Sequence, residues 1–158
     1  MQGVQLIDSG LLEALVARAR QSPRLRSNHN FHRDAADNPH RFLNALSRGT
    51  YCCPHRHLDP PKAESFVALR GEVAVFLFDD AGKVSEQHVL GRDGLFGIDI
   101  APGLWHAIAA LSDTAVCFEV KPGPYQVSND KQFASFAPPE GDPRAPAYLA
   151  ELLSKLRA

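Results

Sequence analysis

Apolar residues recur along this chain with two different periods. Over 7–20, Leu11, Leu12, Leu15, Val16 and Ala19 fall on one face at helical spacing, and Glu13, Arg18 and Arg20 fall elsewhere, which predicts an amphipathic helix. Asp8 or Ser9 is placed to cap it and Pro23 to end it. This helix is expected outside the main body or against a second subunit. Ser27 to His40 is polar and reads as an ordered loop. From Arg41 the pattern changes to short strands: Arg41 to Ser47, Phe66 to Leu69, Glu72 to Phe78, Val84 to Leu90, Phe96 to Ile100, Trp105 to Leu111 and Thr114 to Val120. Arg70-Gly71 reads as a tight hairpin, Asp79-Asp80-Ala81-Gly82 as a second turn, and Ser112-Asp113 as the last join. Lys121 to Gly141 is rich in proline and aromatic residues, and is expected to wrap the strands with Tyr125, Phe133 and Phe136 as apolar anchors. Pro143 to Leu156 reads as a short C-terminal helix.

Short strands with turns about every eight to twelve residues predict a sandwich or barrel. A mainly β fold, the jelly roll or double-stranded β-helix, fits this pattern. The expected organisation is one domain over 1–158, with the helix at 7–20, a barrel at about 41–121 and a wrapping tail plus helix at 122–158. Phe42, Phe66, Val75, Leu77, Trp105 and Phe118 are the expected core.

Composition narrows the class of function. The chain has 158 residues, 44% of them hydrophobic, and a formal net charge of -1, so it lacks the cationic excess that phosphate-backbone binding requires. No apolar run approaches the ~20 residues that span a bilayer. Met1 to Gly10 lacks a basic segment followed by an apolar one, so a cytoplasmic location is expected. Cys52, Cys53 and Cys117 are an odd count with an adjacent pair, poor material for a disulfide framework.

The strongest chemical signal lies between Gly49 and Gly71. His55 and His57, two apart, share one face of an extended chain, with Glu64 beyond them and His106 in a second block, Pro102-Gly103-Leu104-Trp105-His106. Three imidazoles and a carboxylate suit one divalent transition metal: Fe, Mn, Ni, Co or Zn. Four protein ligands on an octahedral ion leave up to two positions open. Asp59 is the rival carboxylate.

The two blocks resemble the paired motifs of the cupin superfamily: glycine, His-x-His, Glu and glycine, then Pro-Gly-x-x-His. A more specific likeness covers nearly the whole chain. Ser22-Pro23-Arg24-Leu25-Arg26, Asn30-Phe31-His32, Pro54-His55-Arg56-His57, Phe118-Glu119-Val120-Lys121-Pro122-Gly123-Pro124-Tyr125 and Pro139-Glu140-Gly141-Asp142-Pro143 resemble the WbuC family, small bacterial cupin-fold metalloproteins. Some of that family are encoded among surface-polysaccharide (O-antigen) genes. The resemblance implies the cupin fold and favours Glu64 over Asp59 as ligand. Leu58 to Ala63 lengthen the usual cupin spacing before Glu64, but this bulge also fits the WbuC pattern. Ala101 stands where the second motif usually carries proline, and Ala110 where it carries asparagine; neither position is normally a ligand. A homodimer is expected, because cupin-type barrels often pair through an edge strand.

Arg24, Arg26, His29, Asn30 and His32 gather donors for an anionic or sugar-like small molecule, or form a solvated loop. Glu119 and Lys121 alternate on the last strand and read either as an acid–base pair or as a cross-strand ion pair. Tyr125 closes the barrel mouth or anchors the tail. No catalytic residue is assigned. The functions in competition are a metal-dependent isomerase, epimerase or lyase acting on a sugar or nucleotide-sugar derivative, an Fe(II) dioxygenase, and a non-catalytic module that binds a ligand or metal.

Overall fold

The computed structural model describes residues 3–128 and 130–156. It contains the helix α1 (Ser9–Gln21), the strands β1 (Arg26–Asn30), β2 (His40–Ser47), β3 (His55–Arg56), β4 (Glu64–Arg70), β5 (Val73–Phe78), β6 (Val84–Leu90), β7 (Gly97–Ile100), β8 (Trp105–Ala110), β9 (Thr114–Lys121) and β10 (Gln132–Phe133), and the helix α2 (Ala145–Ser154). The strands form two five-stranded antiparallel sheets, ordered β1-β2-β9-β4-β7 and β10-β3-β8-β5-β6. This is the jelly-roll architecture that the strand pattern predicts.

Asp8 caps α1, its carboxylate accepting the Leu11 N–H at 2.8 Å. Leu15, Val16 and Ala19 then pack on Leu43, Ala45 and Val116, so α1 covers the outer face of the first sheet on its own barrel. The tail and α2 cover the outer face of the second sheet. There Leu149 and Leu152 join Phe76, Phe78, Trp105 and Ala107.

Three expectations need correction. Arg70-Gly71 is not a hairpin: β4 pairs with β7 and β9, and β5 with β6 and β8, so the chain crosses here from one sheet to the other. Gly71 takes φ +66°, and a Cβ there would collide with the Thr114 carbonyl. Two abutting apolar runs have the same sequence signature whether the turn pairs them or separates them. The segment 27–40 is not all loop, because Arg26–Asn30 pairs with Phe42–Leu46 as an edge strand despite its polarity. Of the three tail anchors, Phe136 packs on Phe78 and Trp105, whereas Tyr125 and Phe133 stay exposed at the barrel mouth. Asp79–Gly82 is a hairpin turn as read, joining β5 to β6.

The inward-facing rows of the strands position the site. On β8 the row runs Ala110, Ile108, His106; on β9 it runs Ala115, Cys117, Glu119, Lys121; on β4 it runs Ala68, Phe66, Glu64. Each row is apolar at one end and changes to ionisable residues at the other. The register sets Ala68 opposite Cys117 and Phe66 opposite Glu119, one step short of Glu64, so the ionisable residues gather at one end and make a polar chamber above an apolar plug. Phe66, Val75, Leu90, Ile100, Ile108 and Cys117 form that plug. Among the described residues, no helix is long and apolar enough to cross a membrane.

Candidate metal centre

His55, His57, Glu64 and His106 are all buried, and one ligand atom from each lies within 4.8 Å of the others. His55 sits on β3 directly opposite His106 on β8, His57 follows β3, and Glu64 opens β4 in the facing sheet. His106 Nε2 is 2.9 Å from Glu64 Oε2, and His57 Nε2 is 3.4 Å from the same oxygen. Asp59 is exposed in the turn before β4, outside this cluster.

The tautomers of the three imidazoles follow from their partners. His55 Nδ1 donates to the Cys53 carbonyl at 3.1 Å and His106 Nδ1 to the Leu104 carbonyl at 2.9 Å. His57 Nδ1 donates to the Asp130 carbonyl. With each Nδ1 engaged by a carbonyl, the lone pair of each ring is left at Nε2, on the side where the four ligand atoms converge. His55 Nε2 and His57 Nε2 are buried without a hydrogen-bond partner. Imidazole lone pairs aimed at a carboxylate, with none of the three rings donating to it, are costly unless a cation completes them. The donor set therefore fits a divalent transition metal, and the cluster could hold one ion.

Electrostatics agree with that fit. Burial holds the His55 imidazole well below its ordinary pKa, with the Lys131 charge and His106 acting the same way, so it is neutral and ligand-ready. Burial pushes the Glu64 carboxyl up, whereas the adjacent Glu119 carboxyl and the Lys121 charge act to lower it. Glu119 behaves oppositely. Burial and the adjacent Glu64 carboxylate raise it well above the carboxylate range, while Asn44 Nδ2 donates to its Oε2 at 3.1 Å.

A cavity of about 560 Å³ opens over this cluster. Arg24, Arg26, Asn30, His32, Glu119, Lys121 and Tyr125 all line it, whereas His29 packs edge-on against Phe31, away from it. The two arginines are not free donors. Arg24 holds Glu140 at 2.8 Å, and Arg26 pairs with the other oxygen of the same carboxylate while donating to the Tyr51 carbonyl at 2.9 Å. Glu140 thereby ties the tail to the mouth. Lys121 Nζ lies 3.7 Å from Glu64 Oε1 and 3.1 Å from Asp130 Oδ2. Burial alone would lower the Lys121 ammonium; the Glu64, Glu119 and Asp130 charges outweigh it and raise it.

The residues missed in the sequence are Asn44, Lys62, Asp130, Lys131 and Glu140. Asn44 had a signal, since it lies two residues from Phe42 on an inward row. Lys62 and Asp130 had none. They meet at 2.8 Å across 68 positions, both nearly fully buried, and Lys62 Nζ also donates to the Pro124 carbonyl at 2.7 Å. Arg56 points out of the barrel as its spacing predicts, its guanidinium 4.2 Å from the centre of the Trp105 ring. The cysteines are free thiols, and burial raises all three above the ordinary range, so they are protonated bystanders.

Residues 7–90 match the family described as "Domain of unknown function (DUF6016)". The chain belongs to the DUF6016 family. No curated protein matches it. Among solved structures, this DUF6016 chain is similar to the capsular polysaccharide assembling protein CapF from Staphylococcus aureus, at 21% identity and TM-score 0.59 over 71% of this chain and 30% of that one. It is also similar to the L-ribose isomerase of Cellulomonas parahominis, at 18% identity and TM-score 0.55 over 70% of this chain and 69% of that one. A third likeness is to the protein TT1209 from Thermus thermophilus, at 21% identity and TM-score 0.56 over 76% of this chain and 98% of that one. The chain spans about a third of the length of the CapF chains it matches, which it covers to 30–32%. At these identities the likeness is one of fold, the jelly roll described above.

Proposed function

We propose that this protein is a metal-dependent enzyme that binds one divalent transition metal through His55, His57, Glu64 and His106 and acts on a small polar molecule. The observation that carries this reading is the convergence of three Nε2 lone pairs and one carboxylate, two of the lone pairs orphaned, beneath a cavity of about 560 Å³. An ion that only braced the barrel would need no chamber above it. The chemistry such an ion supplies is Lewis-acid polarisation of a ligand oxygen.

The chain's own groups provide the rest. Glu119, kept protonated by its burial, offers a proton from its carboxyl, and Asn44 fixes the orientation of that carboxyl. Lys121 Nζ brings a fixed positive charge to the same chamber, steadied by Asp130. Tyr125, His32 and Asn30 line the cavity as polar contacts for the ligand. These roles suit isomerisation, epimerisation or lyase chemistry on a sugar-like substrate. Membership of the WbuC family, a bacterial source, a cytoplasmic setting and a part in surface-polysaccharide biosynthesis belong to the same proposal, as does pairing of two copies through an open sheet edge.

Elemental analysis of purified protein tests the reading. We expect about one divalent metal per chain, and none in the His57→Ala/His106→Ala double variant. A wild type that carries no metal and takes up none of Fe, Mn, Ni, Co or Zn would remove the proposal.

A further inference from the structure

The charge balance of the chamber identifies the class of ligand. On a formal count that includes Glu119, Lys121, Lys131 and three arginines line the cavity against four acidic residues, one of which is Glu64. Behind this lining, Lys62 and Asp130 cancel each other at 2.8 Å. At the mouth, Arg24 and Arg26 share the single carboxylate of Glu140. Lys131 makes no ion pair among the described residues. Arg33 pairs in the same way with Asp37 at 3.2 Å, so the chamber is balanced on a formal count before any ion enters, and a divalent ion adds two charges that nothing in the lining offsets. Excess charge in a buried chamber is unfavourable unless a counter-charge enters with it.

We infer that the ligand is an anion, a carboxylate carrying a second oxygen on the adjacent carbon, as in 2-hydroxy acids, 2-oxo acids and sugar acids, rather than a neutral sugar. This inference rests on the metal reading above and narrows it. One end of such a ligand faces the His55–His57–Glu64–His106 cluster, and its carboxylate charge is answered by Lys121 and Lys131. Lys121 is the specificity determinant: its side chain is 6% exposed, it is the cation nearest Glu64, and Asp130 holds it in place.

Glycolate and glycolamide, alike in shape and different by one charge, are the probes. Cobalt(II)-loaded protein is titrated with each, and the cobalt absorption spectrum reports entry while elemental analysis confirms that the metal is retained. We expect glycolate to bind at least about tenfold more tightly than glycolamide. Lys121→Met is expected to remove about tenfold of the glycolate affinity and to leave glycolamide within about twofold. Lys131→Met strands no carboxylate among the described residues; it is expected to weaken glycolate about threefold, and it tests the same point should Lys121→Met fold poorly. Equal affinities for the two probes, or a glycolate preference untouched by both variants, would overturn the inference while leaving the metal reading intact. Failure to bind cobalt(II) at all would strike the metal reading instead.

Discussion

The two sheets bring different chemistry to one chamber, and they secure it in different ways. The sheet of β3 and β8 supplies imidazoles. His55 and His106 face each other across that pair, and each sends Nδ1 to the carbonyl two residues behind it, so their orientation is settled within a tripeptide. The sheet of β2, β9 and β4 supplies Asn44, Glu119, Lys121 and Glu64, which hold one another through contacts between distant positions. His57 bridges the two styles, since its acceptor is the Asp130 carbonyl from the tail. Local fixation tolerates loss of one member, whereas a mutually supporting ionic set does not.

The comparison predicts its own largest break. Asp130→Asn leaves Lys62 and Lys121 buried without their shared carboxylate, and removing one partner of a buried ionic set costs about 3–5 kcal/mol. Urea unfolding of the metal-free protein measures this. Elemental analysis of the same variant should still find metal, because the Asp130 main chain, not its side chain, accepts from His57. A cost near zero would mean that the two sheets are secured alike.

Metal loading sharpens the imidazole side. At a free ion concentration a thousandfold above the dissociation constant, binding should add about 4 kcal/mol to the unfolding free energy. The His57→Ala/His106→Ala variant should gain nothing. Thermal unfolding with and without chelator separates these outcomes.

A smaller effect tests the outer cover of the imidazole sheet. Tyr51 and Tyr148 meet edge to face at 6.2 Å, and the Tyr51 hydroxyl donates to the Pro138 carbonyl at 2.7 Å. Burial pushes Tyr148 up to about 12 and raises Tyr51 as well. A phenol whose folded pKa is raised contributes stability that is whole below the unfolded value, near 10.0, and is lost as pH climbs through the folded one. Docking of the tail and α2 should therefore weaken between about pH 10 and 12. Tyr148→Phe should flatten that decline in an alkaline stability series. The smallest change expected is at Glu140. Its pairs with Arg24 and Arg26 lie at the mouth, and Glu140→Gln should cost at most about 1 kcal/mol in urea.

The same contrast explains what could be read from the chain. His55, His57 and His106 were legible because a two-residue spacing and a short Pro-Gly block carry the signal locally. The strand rows were legible for the same reason, since alternation needs only neighbours. Arg70-Gly71 misled because apolar runs do not say which sheet they join. The polar strand Arg26–Asn30 carried no apolar alternation to reveal it. Lys62 and Glu140 were invisible because their meaning lies in partners 68 to 116 positions away. Arg24 and Arg26 read as donors from the sequence, which does not reveal the Glu140 carboxylate that occupies them.

The central claim is that three Nε2 atoms and the Glu64 carboxylate share one ion. X-ray absorption at the metal edge of zinc- or cobalt-loaded protein tests it most directly. The account predicts three imidazole nitrogens and a carboxylate oxygen in the first coordination sphere, at about 2.0–2.2 Å. A sphere with sulfur, or with fewer than three imidazoles, would contradict it.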